Sequence, residues 1–547
     1  MILRPSEALA KAVSAGSGAL VLAGSGVVKP FSPAVLARMG KAVLDWGLGP
    51  AGGFTMLATR YPDRVGIVDE LGEITYGEIH RRTNVLARAL AARGVGEGDG
   101  VAIMCRNHRG FVEATVATAK LGADALYLNT AFAGPQLVDV LAREKPRVVI
   151  HDEEFTALLA GAELEQRILA WTDSDESALK ANGTETLEQL AARGNDSDLA
   201  APSRHGRIII LTSGTTGTPK GAPRNEAGID AAIALLSRMP LKEGWRTHIA
   251  APLFHTWGFA HLMLAMLLGS TMVLRRRFEP ADALAATEGC DSLVVIPVML
   301  QRMLAVESTD QPDLSRLKVV ASSGSALPGD LALEWMDRFG DNLYNIYGST
   351  EVAYASIATP EDLRAAPTSA GRPPWGTVVK ILDPFGAEVA HGEAGRIFVG
   401  NSLLFEGYTG GGHKEVVDGL MSSGDVGRFD ADGRLYVEGR DDEMIVSGGE
   451  NVFPKEVEDC LARHEAVVEV ACIGIDDAHF GKRLRAFVVV GREVGEDELK
   501  DWVKHHLARF KVPREIVVMG ELPRNATGKV LKRELFEWTA ESAGGEA

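Results

Sequence analysis

The sequence predicts an α/β protein with two unequal parts, a large multi-subdomain N-terminal α/β domain and a small C-terminal α+β domain. The chain has 547 residues, so more than one hydrophobic core is expected. Helical patterns alternate with short apolar strands as far as about residue 400, which is typical of layered α/β architecture. After Gly439 the pattern changes to a compact unit with apolar strands and one amphipathic helix.

The first clear helix begins after Thr75. Thr75 and Glu78 have the capping-box spacing, and apolar residues then recur on one helical face. A cluster of glycines from Gly94 ends this helix before an apolar strand over residues 101–104. Further strands are predicted at 147–150, 208–211 and 293–296.

The C-terminal unit is predicted to hold strands over 468–475 and 485–490. Its helix should bury one apolar face, made of Leu499, Trp502, Val503, Leu507 and Phe510. We therefore predict domains at residues 1–441 and 442–547, with residues 1–50 as an extra N-terminal segment of unassigned role.

Composition excludes several classes of protein. A net charge of −17 argues against a nucleic-acid surface, because phosphate contacts need clustered Lys and Arg. Four scattered cysteines without a CxxC pair fit neither a disulfide framework nor a zinc site, which favours the cytoplasm. The apolar run over 262–268 is far shorter than the roughly 20 residues of a membrane span, so a buried helix is expected. Peripheral membrane contact and a homodimer stay open.

The strongest single motif is the loop Leu211-Thr-Ser-Gly-Thr-Thr-Gly-Thr-Pro-Lys-Gly221, directly after a predicted strand. Its glycines let backbone amides converge on an anion, its hydroxyls are donors and its lysine adds charge. It is not a P-loop, because Pro219 replaces the second glycine of that motif. We therefore predict a phosphate site with the residues Thr212, Ser213, Gly214, Thr215, Thr216, Gly217 and Lys220.

This loop resembles the phosphate-binding signature of the adenylate-forming superfamily, which includes acyl-CoA synthetases, adenylation domains and firefly luciferase. Four further segments match in the expected order, so the resemblance covers roughly residues 60–535. It implies a mobile C-terminal domain and the use of ATP, Mg²⁺ and coenzyme A.

The segment Tyr347-Gly-Ser-Thr-Glu351 resembles the adenine and magnesium motif of that superfamily. The resemblance implies that Tyr347 stacks on adenine beside Gly348, that Thr350 touches phosphate and that Glu351 coordinates Mg²⁺. The preceding loop resembles the adenine-side loop and implies contacts from Gly324, Ser325 and Ala326.

Two later segments resemble the ribose and hinge motifs. Asp425 is implied to accept both ribose hydroxyls, a role that needs an ionised acceptor, and Arg440 to contact the ribose. Asp442 is the implied pivot, and Ser447, Gly448 and Gly449 the implied coenzyme A segment.

Lys529 resembles the catalytic lysine of the superfamily, in the loop Pro523-Arg-Asn-Ala-Thr-Gly-Lys529. A lysine suits this reaction, because attack of a carboxylate on the α-phosphate brings two anions together. By analogy, acyl-AMP forms first, and a domain rotation about the hinge then exchanges Lys529 for the glycine segment.

The segment Ala251–Phe259 resembles the mouth of the acyl pocket, with His255 near the carboxylate. Trp257 is expected either to gate the pocket or to be an ordinary core residue. The apolar run over 262–268 contributes no charged group, and we find no basic residue there that would suit a dicarboxylate. A medium- to long-chain fatty acid is therefore favoured over acetate or an aromatic acid.

Several alternatives remain at this point. The chain could be an aryl or other-acid coenzyme A ligase, or a fatty-acyl-AMP ligase that delivers to the phosphopantetheine of a carrier protein. A non-catalytic ATP-binding protein would predict broken motifs, and a luciferase-like monooxygenase has no feature in its favour. If the chain is any of these enzymes, we expect its partners to be small molecules rather than nucleic acid.

Overall fold

The computed structural model describes most of the chain. The described residues are 16–132, 134–175, 179, 184–212, 220–224, 228–307, 312–349, 351–404, 414–441, 443, 445–447, 450–477, 481–525 and 528–538.

The described helices run along the whole chain, beginning with an unlabelled helix over residues 16–25. The labelled helices are α1 (Pro33–Trp46), α2 (Pro50–Arg60), α3 (Tyr76–Ala91), α4 (Arg109–Lys120), α5 (Gly134–Glu144), α6 (Leu187–Ala191), α7 (Ile229–Arg238), α8 (Thr256–Leu268), α9 (Pro280–Thr287), α10 (Pro297–Leu304), α11 (Gly329–Phe339), α12 (Pro360–Ala365), α13 (Pro454–Leu461), α14 (Glu496–His506) and α15 (Lys532–Phe536).

The described strands form four sheets. They are β1 (Val65–Asp69), β2 (Gly72–Thr75), β3 (Gly100–Met104), β4 (Asp124–Tyr127), β5 (Val148–Asp152), β6 (Arg167–Trp171), β7 (Ile208–Thr212), β8 (Lys220–Arg224), β9 (Arg246–Ile249), β10 (Thr271–Val273), β11 (Ser292–Val295), β12 (Val319–Ser322), β13 (Leu343–Tyr347), β14 (Ser356–Ala358), β15 (Val378–Leu382), β16 (Gly395–Gly400), β17 (Val416–Val417), β18 (Leu420–Phe429), β19 (Leu435–Arg440), β20 (Ile445–Ser447), β21 (Glu450–Val452), β22 (Val467–Asp477), β23 (Gly481–Val490) and β24 (Glu515–Met519).

Two sheets are mostly parallel. The large sheet has the order β14-β13-β12-β11-β9-β10-β1-β2, and the second sheet has the order β6-β5-β3-β4-β7-β8. Strand β3 is buried on both faces: Ile103 belongs to the main core, whereas Ala102 belongs to a smaller cluster on the other side. Buried residues of both sheets, such as Ile103 and Leu293, share the main core. Continuous burial of this kind explains why the strands appear in the sequence as apolar runs.

The two remaining sheets follow later in the chain. An antiparallel sheet contains β15 to β19, and the C-terminal sheet contains β20 to β24 with α13 and α14 packed on it. The antiparallel sheet ends at Arg440 and the C-terminal sheet begins at Ile445. The mixed helix and sheet architecture confirms the predicted fold class, whereas the domain boundary at 441/442 stays a prediction.

The local predictions agree with most elements. Thr75 caps α3 and accepts a hydrogen bond from the Glu78 amide at 3.2 Å, as the capping pattern predicts. The C-terminal helix is shorter than its apolar periodicity predicts, because α14 ends at His506. Leu507 and Phe510 lie beyond it but still pack against the C-terminal core.

Helix α8 is apolar on all sides and contains the predicted buried run over 262–268. His255 is its N-cap residue, and Gly269 ends it with a left-handed φ of 57°. None of the described helices is long and apolar enough to cross a membrane.

Candidate active site

A cavity of about 650 Å³ lies between the two parallel sheets and the C-terminal part of the chain. Its walls come from loops that follow strands of the large sheet, from β7, from helices α2, α7 and α8, and from the loop that carries Lys529. Pockets of this size that are mostly apolar, with polar groups at one end, are typical of small-molecule sites.

The polar end of the cavity is built from loops that follow parallel strands. His255 follows β9, Ser323 and Gly324 follow β12, and Gly348 and Glu351 follow β13. Strands β9, β11, β12 and β13 are parallel, so their carboxyl ends meet at one edge of the sheet. The crevice outside such an edge is where open α/β sheets bind ligands.

The predicted adenine-side loop is tied to β13. Ser323 Oγ donates to the Ile346 carbonyl at 2.8 Å. Gly324 lines the cavity with a φ of +97°, a conformation that favours glycine. Ser325 and Ala326 are described, but they do not line the cavity.

The loop after β13 presents Glu351 to the cavity. At Gly348 a Cβ would lie 2.1 Å from the Ala353 carbonyl oxygen, so only glycine fits there. Ser349 Oγ accepts from the Glu351 amide at 3.2 Å. The amide of Asn401 donates to two carbonyls of this loop at 2.7 and 2.8 Å, which fixes its shape.

Glu351 supplies a half-buried carboxylate at the polar end of the cavity. Mg²⁺ at nucleotide sites is usually held by one or two carboxylates together with phosphate oxygens and water. The donor set therefore fits Mg²⁺ that arrives with a triphosphate. When bound there, the ion would supply positive charge against the phosphates.

Three predicted nucleotide residues form one hydrogen-bonded group. The Tyr347 hydroxyl donates to Asp425 Oδ2 at 2.5 Å and lies 3.2 Å from Ser423 Oγ. Arg440 Nη1 lies 3.4 Å from Asp425 Oδ1, because the two residues are direct cross-strand partners on β18 and β19. The structure therefore brings together residues that are far apart in the sequence.

The Asp425 carboxyl is strongly affected by its surroundings. Burial raises its pKa above the ordinary aspartate value, while the Tyr347 hydroxyl and the positive charges of Arg440 and Lys529 oppose that rise. Burial and the neighbouring Asp425 carboxylate also raise the pKa of the Tyr347 hydroxyl, so it stays a donor. Asp425 is consequently an acceptor whose charge depends on pH.

Lys529 lies on a tight turn. The amides of Gly528 and Lys529 donate to the Asn525 carbonyl and side-chain oxygen, both at 2.9 Å, and the Asn525 amide donates to the Lys529 carbonyl at 2.9 Å. Arg524 donates to the Gly528 carbonyl at 2.5 Å and pairs with Glu469 at 2.9 Å. The turn therefore has a defined shape that presents the exposed Lys529 side chain.

This turn packs against the large domain. Gly528 has a φ of +76°, and a Cβ there would lie 2.7 Å from Val298 Cγ1 on α10. Lys529 lines the cavity and is close enough to Asp425 to lower the pKa of that carboxyl. Lys529, Glu351, Arg440 and His255 thus line one cavity.

Several predicted residues lie outside the described part of the chain. Strands β7 and β8 form a hairpin in which Thr212 and Lys220 are paired, so the predicted phosphate loop joins two neighbouring strand ends. The predicted residues outside the description are Ser213, Gly214, Thr215, Thr216, Gly217, Thr350, Asp442, Gly448 and Gly449.

The start of α8 lines the cavity. Nδ1 of His255 accepts from the Trp257 amide at 3.5 Å. The indole of Trp257 donates to the Val295 carbonyl at 2.9 Å, so a gating motion would have to break this bond. Thr256 Oγ1 is buried and has no hydrogen-bond partner among the described residues, although Thr256 lines the cavity. Thr256 is therefore a candidate donor to a substrate.

The sequence analysis assigned no role to some of the residues that line the cavity. Thr256 and Asn525 lie within motifs that we recognised, and their positions near His255 and Lys529 could have indicated that they belong to the site. The α1–α2 turn lies outside every motif, yet Trp46, Leu48 and Gly49 line the cavity. No local pattern marks that turn as part of a site.

Comparison with known proteins identifies the family. Residues 54–409 match the family described as AMP-binding enzyme, and residues 456–529 match the AMP-binding enzyme C-terminal domain. The chain is 34% identical over 472 residues to a feruloyl-CoA synthase of Amycolatopsis sp, covering 84% of this chain and 93% of that one. It is 33% identical over 485 residues to a 2-succinylbenzoate–CoA ligase of Geobacillus sp., covering 87% and 94%.

A solved structure agrees with these relatives. The anthranilate CoA ligase in complex with anthranoyl-AMP matches with a TM-score of 0.79 and 26% identity, covering 90% of this chain and 98% of that chain. The chain therefore belongs to the AMP-binding enzymes of the adenylate-forming superfamily. This membership supports ATP-dependent activation of a carboxylic acid as an acyl-adenylate, with Mg²⁺, and its ligation to coenzyme A.

The pH dependence of ATP use tests Asp425. Because the pKa of Asp425 is raised, its carboxylate gains a proton at a pH above the ordinary aspartate pKa. The protonated carboxyl accepts hydrogen bonds from ribose hydroxyls less well than the carboxylate does. We expect kcat/KM for ATP to fall on that acid side. Asp425→Asn should lower kcat/KM by about 10- to 100-fold, the size of a lost charged hydrogen bond, and remove the acid limb.

Asp418→Asn is the matched control, because Asp418 is exposed at a turn of the same sheet where Asn also tolerates the positive φ. It should leave the pH profile unchanged. An unaltered acid limb in Asp425→Asn would exclude Asp425 as the titrating group.

Gly528→Ala tests the docking of the Lys529 turn. The added Cβ meets Val298 and forces alanine into a left-handed conformation, which costs about 1–2 kcal/mol. Pyrophosphate release should slow about tenfold or more, while thioester formation from supplied acyl-adenylate continues. Gly520→Ala is the control, since a Cβ at Gly520 meets nothing within 4 Å. Equal losses in the two variants would refute a role for docking.

Proposed function

We propose that this enzyme activates an aryl-bearing carboxylic acid and transfers it to coenzyme A. The observation that carries this proposal is the aromatic wall of the cavity, made by Trp257 and Phe259 on the first turn of α8. The names of the relatives point the same way, because feruloyl-CoA synthase, 2-succinylbenzoate–CoA ligase and anthranilate CoA ligase all name aromatic acids.

The aromatic wall is held in place from behind. Trp257 is bonded to the backbone of β11 through its indole and packs edge-on against His261 at 4.3 Å between centroids. The ring of Phe259 lies 5.2 Å from that of Tyr127, which in turn lies 4.9 Å from Phe111. Fixed rings of this kind offer stacking and edge contacts to a planar ligand.

The comparisons do not support the fatty acid that the sequence analysis favoured. They favour its alternative, an aryl or other acid, and they give no support to a role in lipid metabolism. The sequence argument rested on the apolar run over 262–268, which is also compatible with the hydrocarbon part of an aryl acid.

In the first half-reaction the substrate carboxylate oxygen attacks the α-phosphorus of ATP. A P–O bond forms, the bond to pyrophosphate breaks, and acyl-AMP remains. Lys529 is assigned to balance the negative charge that builds up between the two anions, with Thr350 and the loop of Ser213 to Gly217 binding phosphate. His255 and Thr256 orient the carboxylate, and Asp425 and Arg440 hold the ribose.

In the second half-reaction the thiol sulfur of coenzyme A attacks the acyl carbonyl, loses its proton, and AMP leaves. We assign Asp442 as the hinge and Ser447, Gly448 and Gly449 as the segment beside the pantetheine arm. In the structure Lys529 lines the cavity, and the backbone of Ser447 pairs with that of Glu450 in a hairpin of the C-terminal sheet. This arrangement suits adenylation, and a rotation would precede thiolation.

A panel of acids tests the substrate class. Pyrophosphate release should be faster with cinnamate, ferulate and phenylacetate than with acetate, octanoate or palmitate, by about tenfold or more in kcat/KM, because only planar rings match the wall of Trp257 and Phe259. A preference for octanoate or palmitate would restore the fatty-acid interpretation.

Lys529→Ala tests the assigned half-reaction. Loss of one charge that stabilises a transition state typically costs about 10²–10³ in rate, so pyrophosphate release should fall by that factor. Thioester formation from supplied acyl-adenylate should stay within about twofold. Lys482→Ala, a change of a half-exposed lysine on β23, is the control. If both half-reactions of Lys529→Ala fall equally, the assignment is wrong.

A further inference from the structure

The cavity continues from the reacting end along α8. Residues of this helix line it from His255 at the start to Leu267 near the end. Twelve residues separate these two positions in the sequence, and at 1.5 Å per residue they are about 18 Å apart. The cavity is therefore much deeper than a carboxylate alone requires, and its far end can contact a remote part of the acyl group.

The far end is lined in part by a segment that precedes the family domain. The match to the AMP-binding enzyme family begins at residue 54, but Pro50, Ala51 and Gly53 also line the cavity. At Gly53 a Cβ would lie 2.0 Å from Met266 Sδ, so α2 and α8 are in direct contact there. The extra N-terminal segment, whose role the sequence left open, is thus part of the acyl site.

Arg60, the last residue of α2, brings a positive charge to this far end. It lines the cavity, and its Nη2 lies 3.4 Å from the Leu267 carbonyl, which is a long hydrogen bond. Its Nε is buried and has no hydrogen-bond partner, and Arg60 forms no ion pair, within the part of the chain that the structure describes. A guanidinium normally pairs with a carboxylate, so an arginine that lines a cavity and has no ion pair among the described residues is a candidate anion site.

The neighbouring cations already occupy the nearby acidic side chain. Glu243 accepts from Arg64 at 2.6 Å and also pairs with Lys29, so its two oxygens are engaged. The guanidinium carbon of Arg60 instead lies 5.0 Å from the ring centroid of Tyr61 and 5.9 Å from that of Phe31. Burial lowers the pKa of Arg60, and the nearby Tyr61 and Glu243 side chains oppose that change.

We propose that Arg60 binds a second carboxylate, at the end of the acyl substrate remote from the reacting carboxylate. The substrate class is then a dicarboxylic acid with an apolar, aryl-bearing body between its two anionic ends, a statement that rests on the function proposed above. One anion is consumed by adenylation, and the other pairs with the partly buried guanidinium of Arg60 where it lines the cavity. The apolar walls along α8 separate the two charged ends.

The test uses matched pairs of acids that differ only at the remote end. The pairs are 4-methylcinnamate with 4-carboxycinnamate, 4-pentylcinnamate with 4-(4-carboxybutyl)cinnamate, and 4-nonylcinnamate with 4-(8-carboxyoctyl)cinnamate. The full-length enzyme should show a kcat/KM for pyrophosphate release at least tenfold higher for the diacid in the pair whose length reaches Arg60. Arg60→Met should abolish that preference and leave the rate with the matched monoacid within about twofold.

Two further variants keep the test decisive. Arg38→Met makes the same exchange at an exposed position of α1 that does not line the cavity, and it should retain the diacid preference. Arg60→Lys keeps the charge but loses the planar guanidinium with its several donors. Its preference for the diacid should therefore fall between those of the native enzyme and Arg60→Met. If Arg60→Met does not fold, Arg60→Lys and the native preference give the answer.

The outcomes separate this proposal from the function on which it rests. Equal use of monoacid and diacid in all three pairs by the native enzyme would overturn the role of Arg60. An unchanged diacid preference in Arg60→Met would do the same. If no acid of any kind supports pyrophosphate release, the proposed adenylation of such acids fails instead.

Discussion

Parallel pairing of β9, β11, β12 and β13 is the interaction on which the rest of the site depends. It aligns four carboxyl ends at one edge, and the loops that follow them carry the polar groups of the cavity. Because these strands are buried between layers of helix, they cannot move independently, and the loops begin from fixed points. The same pairing starts α8 at this edge and directs it across the sheet, so one helix runs from the reacting end to the remote end of the cavity.

Charge is distributed along this cavity in an ordered way. Lys529, Arg440 and Glu351 all line the cavity. In the proposed reaction, the two cations lie near the anionic substrates and Glu351 lies near the cation that accompanies the phosphates. Asp425 contacts a tyrosine hydroxyl and an arginine, and in its proposed role a ribose would compete with these partners. Most of the other residues that line the cavity are apolar, and Arg60 lies near the end of α8. An apolar lining lowers the local dielectric constant, which strengthens the electrostatic contacts of charged groups beside it.

The C-terminal part contributes Lys529 to the cavity through a short turn. Gly528 lets the turn approach α10 closely, and Asn525 and Arg524 fix its shape. In the mechanism that we propose, this part leaves the site after adenylation. The backbone of Ser447 pairs with that of Glu450 in the hairpin of β20 and β21.

The sequence alone determined the alternating α/β pattern, the cap at Thr75 and the order of the nucleotide motifs, because these depend on residues that are neighbours in the chain. It also indicated that Lys529 belongs with Glu351, although only through resemblance. The tertiary structure decided which distant residues meet. Asp425 faces Arg440 because of strand register, and α14 ends before its apolar pattern does because packing continues into a turn.

The sequence analysis found no basic residue near 262–268, yet Arg60 lies against helix α8, which contains those residues. It comes from a segment about 200 positions earlier, and no local periodicity can report a contact made only by packing of α2 on α8.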